Sequence, residues 1–280
     1  MQMPWAATDK PSIALGILKS LCTSHSLPCQ VFYPNLDLAE VMSSELYDQF
    51  GNNLTLYGLS EYLFAADLFG INTLGGERTL DVFGEALNLP DVASSSMKIP
   101  KKLKDKGYLL HLRDYLLPAF LDRLTTRLLQ EEATVFGFTA TNNQVMSGLA
   151  IAKRLKALRP EVITIFGGAN FHGTMGLEYA RALPGIIDHI FVGEAEEAFS
   201  EFLIRLVEGR ELAGIPGVTS MAGEQVALTP GQPLEDMSLS PCPDYDDFFA
   251  EAERIRQLSG KVFPVEFLPF EGARGCWWGE

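Results

Sequence analysis

Apolar positions recur in two different periods along this chain, and the two are kept apart. Between residues 134 and 194 they form short continuous runs: Thr134-Val135-Phe136-Gly137-Phe138, Val162-Ile163-Thr164-Ile165-Phe166 and Ile187-Asp188-His189-Ile190-Phe191-Val192. Each run ends in a polar or glycine loop: Thr139-Ala140-Thr141-Asn142-Asn143-Gln144, Gly167-Gly168-Ala169-Asn170 and Gly193-Glu194. Each loop opens a stretch of helical period, such as Val145, Leu149, Ala152 and Leu155, with Lys153, Arg154 and Lys156 on the opposite side. Continuous apolar runs alternating with amphipathic helices predict an α/β fold: a doubly wound, Rossmann-like parallel sheet covered on both faces. Ligands of such sheets bind at the carboxyl ends of the strands. The candidate binding residues are therefore Thr139, Thr141, Asn142, Gln144, Gly167, Gly168, Ala169, Asn170, Gly193 and Glu194.

Ahead of this core, residues 1–6 read as the tail of a strand, 11–24 as a helix and 29–33 as a strand stopped by Pro34. That is a βαβ unit with a short first strand, so the sheet is expected to begin before the sequence does. Residues 37–130 change period. Segments 38–50, 60–68, 80–87 and 115–130 are helical, and the stretch reads as a helical insertion with a structural role rather than a lid. After the core come a helix over 195–208 and a strand over 215–221. Residues 223–246, rich in Pro, Gly, Ser and Asp, read as a linker. A helix over 247–258 and a strand over 262–268 follow. The domain plan is 1–222 for the sheet, 223–260 for linker and helix, and 261–280 for the start of a further domain.

Composition removes some functions. A net charge of -14 argues against nucleic-acid binding, which needs an excess of Lys and Arg to neutralise phosphate. The cluster Lys98, Lys101, Lys102, Lys104 and Lys106 is read as a solvated helix face. No run is long enough to span a membrane and no signal peptide is evident, which makes a cytoplasmic location the default. The four cysteines, Cys22, Cys29, Cys242 and Cys276, suggest no disulfide scaffold. Neither a dinucleotide fingerprint nor a P-loop is present. No Ser-His-Asp or metal-ligand spacing can be defended among His25, His111, His172 and His189. Cys276 is the sharpest single residue: it follows a strand and a Gly-Ala-Arg-Gly turn, which suits the first thiolate of a metal or cluster site.

Taken together, residues 9–19 (Asp-Lys-Pro-Ser-Ile-Ala-Leu-Gly-Ile-Leu-Lys), the loop after Phe138, Gly-Gly-Ala-Asn at 167–170, Val-Gly-Glu-Ala-Glu at 192–196 and Pro-Asp-Tyr at 243–245 resemble a cobalamin-binding domain ahead of a radical SAM domain. The ending Ala-Arg-Gly-Cys-Trp-Trp-Gly-Glu (273–280) is similar to the RiPP maturation radical SAM protein 1 group, where it opens the [4Fe-4S] cluster motif. The resemblance implies a B12-dependent enzyme in which the cluster and S-adenosylmethionine generate a radical on a ribosomally synthesised precursor peptide, followed by C-methylation. It also implies cobalamin held over the three loops and Cys276 as a metal ligand. Two departures matter. Glu280 stands where the common C-x-x-x-C-x-x-C spacing would put a second cysteine, so the chain carries at most one cluster ligand. The D-x-H-x-x-G signature is absent, and Asn170-Phe171-His172-Gly173 only echoes it, so no histidine ligand on cobalt is expected. The chain is thus expected to be truncated at the start of the radical SAM domain and inert alone. The alternatives are a stand-alone cobalamin- or nucleotide-binding carrier module, and a sheet that only recognises the precursor peptide. The oligomeric state is open.

Overall fold

The computed structural model describes all residues except 89–98, 223–224, 235 and 275–280. The chain opens with residues 1–3 laid along the sheet and then forms α1 (Ile13–Ser24), capped by the Ser12 hydroxyl, which accepts the Leu15 N–H at 3.3 Å. The insertion follows as α2 (Pro34–Met42), α3 (Ser44–Asn52), α4 (Tyr57–Phe69), α5 (Glu77–Ala86), α6 (Lys106–His111) and α7 (Leu117–Leu129), with a π turn joining the last two. The expected helix over 38–50 is broken between α2 and α3. Ser43 there has a φ of 84°, which no helix interior accepts.

β1 (Val135–Thr139), β2 (Ile163–Gly167) and β3 (His189–Ile190) form a parallel sheet in that order, with Phe136 paired to Thr164 and Ile165 to His189. The N-terminus extends it on the β1 side. Gln2 bridges Thr139 in parallel, and the Met1 amino group donates to the Gly137 carbonyl at 2.7 Å. On its other side the Gln2 N–H donates to the Phe32 carbonyl at 3.0 Å. The expected strand over 29–33 is therefore only an extended segment. It pairs with Gln2 alone before Pro34 starts α2. Spatial order across the sheet is 31–33, 1–3, β1, β2, β3.

Strand alternation sorts the side chains into two layers. Phe136, Phe138 and Phe166 enter the core with α8 (Val145–Leu158) and α9 (Gly173–Ala182), whereas Ile165 and Phe191 pack with α1 and α10 (Glu196–Glu208). The sheet is thus doubly wound, as the sequence implies. The insertion covers α8, and its Leu36, Phe50, Leu56 and Leu121, none exposed, share one core with Phe138 and Leu149. In the basic cluster, Lys106 pairs with Glu77 and Asp81, and Lys102 lies over the Tyr108 ring; Lys98 is outside the described residues.

The tail departs from the sequence reading in two ways. β4 (Thr219–Ala222) is joined by an antiparallel β5 (Gln225–Leu228), formed from residues expected to be linker. This hairpin continues the sheet, because Phe191 bridges Val218 and the Ile190 N–H donates to Thr219 Oγ1 at 2.8 Å. α11 (Asp246–Ser259) then docks on α2 and buries Phe248 and Ile255 in the main core, so it is no spacer. Residues 262–268 form no strand. Their single backbone link among the described residues is the Glu266 N–H to the Asp9 carbonyl at 3.0 Å, and Pro264 offers no donor. No helix among the described residues is long and apolar enough to cross a membrane.

Candidate functional site

The chain leaves residues 1–3 toward 31–33 on one side and later returns through β1 to build the sheet on the other. The loops after 1–3 and after β1 therefore diverge, and such a reversal of strand order opens a crevice at the carboxyl edge. A cavity of about 470 Å³ lies there. One wall is Lys10, Pro11, Ser12, Ile13 and Ala14, entering α1; the other is Thr139, Thr141 and Gln144, leaving β1. Gln2 lines the cavity between them, and Phe267 and Pro269 from the C-terminal segment complete it.

Apart from Lys10 the lining carries no charge: Gln2, Ser12, Thr139, Thr141 and Gln144 supply its polar groups, and Pro11, Ile13, Ala14, Phe267 and Pro269 line the rest. Gln2 is 8% exposed, and its Oε1 has no hydrogen-bond partner among the described residues. A buried amide oxygen without a donor is costly. A ligand carrying amide N–H groups would satisfy it without bringing charge into a site that has little to neutralise charge. A cavity of this size suits one arm of a large ligand, with the remainder over the sheet edge.

The N-terminus of α8 faces the same edge and would ordinarily offer its free N–H groups to an anion. Here Glu61 from α4 occupies it, accepting the Val145 and Met146 N–H groups at 3.1 and 2.8 Å. Burial pushes the Glu61 carboxyl up to about 7 despite those two amides. A phosphate has no place at this helix end, which disfavours a nucleotide bound in that manner.

The expected site residues divide into three groups. Thr139, Thr141 and Gln144 line the cavity. Asn142, Gly167, Gly168, Ala169 and Asn170 form the adjoining rim and are tied to one another. The Asn170 amide donates to the Asn142 carbonyl, and the Asn170 N–H donates to the Ala140 carbonyl at 3.2 Å. Gly168 has a φ of 101°, and a Cβ there would fall 2.5 Å from the Ala140 carbonyl oxygen. Its missing side chain thus makes room for the chain's own backbone. Gly193 is a left-handed turn where a Cβ would meet nothing within 4 Å, and it leads to Glu194. The Glu194 carboxylate accepts the Leu234 N–H at 2.6 Å and pairs with Arg274 at 3.2 Å. Cys276 lies outside the described residues.

His172 is an exposed residue at the start of α9, whereas His189 Nδ1 is 3.0 Å from the Thr219 carbonyl oxygen. No histidine is among the described residues lining the cavity. Among the described residues no group of three or more His, Cys, Asp or Glu could hold a metal ion. Sequence reasoning missed Gln2, Ser12 and Glu61. The segment 9–19 carried a signal for Ser12, but nothing in the sequence placed it beside Thr139.

Residues 99–203 match the family model of the B12 binding domain. That match implies cobalamin as the cofactor of this sheet, and a lining of uncharged hydroxyl and amide groups among apolar side chains fits a large, amide-bearing ligand. Over 113 residues the chain is 32% identical to an uncharacterized methyltransferase of Pyrococcus horikoshii, covering 40% of this chain and 24% of that protein. The chain thus spans about a quarter of the length of the curated relative it matches. Two solved structures of the radical S-adenosylmethionine methyltransferase TsrM from Kitasatospora setae also align, both at 21% identity and a TM-score of 0.34. The one with cobalamin and a [4Fe-4S] cluster bound covers 51% of this chain and 27% of its own. The one with tryptophan substrate and a SAM analogue covers 46% and 26%.

Proposed function

We propose that this chain is the cobalamin-holding part of a radical S-adenosylmethionine methyltransferase whose substrate is a ribosomally synthesised precursor peptide. The observation that carries the cobalamin assignment is the crevice at the strand-order reversal, lined by Gln2, Ser12, Thr139, Thr141 and Gln144, at the carboxyl edge of strands within the B12-matched segment. The chemistry bound cobalamin would supply is methyl transfer from cobalt. The protein's part is to hold and orient it. Ser12, Thr139, Thr141 and Gln144 offer hydroxyl and amide groups to its side arms, Gln2 accepts a hydrogen bond, and Phe267 with Pro269 excludes water from one side. Cys276 is proposed as one cluster ligand. One thiolate cannot hold a [4Fe-4S] cluster, so radical chemistry requires further cysteines and this chain is proposed to be inert alone. The peptide substrate and the cytoplasmic setting rest on the resemblance and the composition of the sequence.

Two measurements test this reading. The chain is mixed with hydroxocobalamin, separated by gel filtration and examined by visible absorption. A coloured protein peak is expected, and a colourless peak from folded protein overturns the cobalamin assignment. The source gene is then read past codon 280 for two more cysteines spaced C-x-x-C. If they are present, the complete product is assayed with S-adenosylmethionine, methylcobalamin and the precursor peptide for a methyl mass increment. A stop codon, or no methylation, would leave a cobalamin carrier module.

A further inference from the structure

We propose that Arg274 is a positioning residue for ligand retention: its ion pairs hold residues 263–271 across the carboxyl edge, so that Phe267 and Pro269 stay in place as a wall of the cavity. The inference rests on the reading that this cavity holds the ligand. Residues 261–271 have neither helix nor strand to fix them, and burial does little. Phe263 is buried at 6% exposure, but Phe267, Leu268 and Phe270 are 53, 56 and 85% exposed. An extended segment with so little apolar burial stays in place only through discrete polar ties.

Among the described residues four hydrogen-bonded ties do this, beside the Lys10 ammonium 5.2 Å from the Phe267 ring centroid. At its start, the Lys261 ammonium donates to the Ala39 carbonyl. In the middle, the Glu266 N–H donates to the Asp9 carbonyl at 3.0 Å and Tyr245 OH donates to the Pro269 carbonyl at 2.7 Å. At its end, Arg274 meets three carboxylates. Nη1 lies 3.2 Å from Glu194 and 3.0 Å from Glu196, and Nη2 lies 2.8 Å from Glu271 and also contacts Glu196.

The last tie is the strongest. The Arg274 side chain is 17% exposed and that of Glu196 8%, so the pair is shielded from solvent and its hydrogen bonds are charge-assisted. The carboxylates are themselves anchored. Glu194 accepts the Leu234 N–H, and Glu196 accepts the Ser240 hydroxyl at 3.2 Å at the first turn of α10. The loop after β3 is thus built to grip the C-terminal segment. Glu194 contributes to the site by fixing its wall.

The test uses the full chain as wild type, Arg274→Ala and Arg274→Lys. Hydroxocobalamin is loaded and its dissociation is followed by the visible spectrum under a chase. Hydrogen exchange across 262–270 and the melting temperature are measured in parallel without ligand. Arg274→Ala is expected to release hydroxocobalamin roughly tenfold faster and to exchange faster across 262–270, as loss of a charge-assisted tie predicts. Arg274→Lys, which keeps the charge, is expected to recover part of both effects. Unchanged release together with unchanged exchange overturns the inference. So does faster release accompanied by a general fall in melting temperature, which marks a merely structural role. If the wild type binds no hydroxocobalamin, the cobalamin reading fails and exchange decides alone: faster exchange confined to 262–270 upholds the tie, and unchanged exchange overturns it.

Discussion

The Glu61 carboxylate caps the first turn of α8 by accepting the Val145 N–H at 3.1 Å and the Met146 N–H at 2.8 Å, across a sequence separation of more than eighty residues. The insertion therefore supplies an anion to the helix that follows β1, at the end where doubly wound proteins often receive one from a ligand. This makes the insertion part of the site's foundation.

A pH dependence follows. Burial raises the folded-state Glu61 carboxyl to about 7, above the ordinary 4.5 of the unfolded chain. Folding then takes up a proton between those values, and the contribution to stability falls as pH rises from about 4.5 to about 7. The shift corresponds to roughly 3 kcal/mol. Glu61→Gln cannot ionise, so its stability loss between pH 5 and pH 8 in urea melts is expected to be smaller than that of the wild type by up to that amount. Parallel curves for the two proteins would refute the assignment.

Gly168 and Gly193 separate two reasons for glycine after a strand. Both have positive φ, 101° and 92°, but only Gly168 has backbone, the Ala140 carbonyl, where a Cβ would go. Gly193→Ala meets the conformational penalty alone, about 1 kcal/mol. Gly168→Ala adds a clash with backbone that cannot swing aside, and should cost about 3 kcal/mol. Thermal or urea melts of the two variants check the order.

Much of the central sheet was legible because β1, β2 and β3 are continuous apolar runs closed by Asn or Gly loops, a pattern that survives without knowledge of neighbours. β5 was not, because Gln225–Leu228 is short, lies in a Pro- and Gly-rich stretch and owes its form to pairing with β4. At the site, Thr139, Thr141 and Gln144 were legible from their place after a strand. Gln2 and Ser12 were not, because their nearness to Thr139 depends on the spatial order of the strands. Glu61 and Arg274 escaped for a similar reason, with partners about eighty residues away. Charge alone does not announce which carboxylate a distant residue will meet.

Beside the burial of Phe248 and Ile255, the docking of α11 includes an ionic group around the buried Glu251 with its own pH signature. Glu251, whose side chain is 8% exposed, accepts from Arg127 at 2.8 and 3.0 Å and from Arg254 at 3.0 and 2.7 Å, and Asp37 contacts both arginines. Against the upward push of burial, the arginines hold Glu251 down to about 2, whereas burial and Glu251 together push Asp37 up to about 6. Because the Glu251 carboxyl is depressed, its stabilisation is present above about 4.5 and is lost as pH falls toward 2. Glu251→Gln is expected to cost about 3 kcal/mol at pH 7 by leaving two arginines undercompensated. The difference from wild type should shrink as the pH is lowered below 4, as read from denaturant melts. A pH-independent difference would mean that packing, not charge, sets the loss.

Gln2 places stability and binding in opposition. Its backbone must stay, because it bridges Thr139 and donates to Phe32, but its buried Oε1 has no partner among the described residues. An unsatisfied buried acceptor costs on the order of 1–3 kcal/mol, and removing the polar atom while keeping the volume relieves that cost. Gln2→Met preserves the length of the side chain and the bridge. The ligand-free variant is therefore expected to be more stable than the wild type by about 1 kcal/mol. The same change deprives a bound amide N–H of its acceptor, so affinity for hydroxocobalamin should fall by roughly threefold to tenfold. Thr141→Trp gives the complementary case: Thr141 is exposed at the cavity rim, so bulk there should block binding without moving the melting temperature. Urea melts and visible titrations of both variants decide the point. A Gln2→Met protein that is both less stable and equally avid for hydroxocobalamin would show that this oxygen serves the fold and not the ligand.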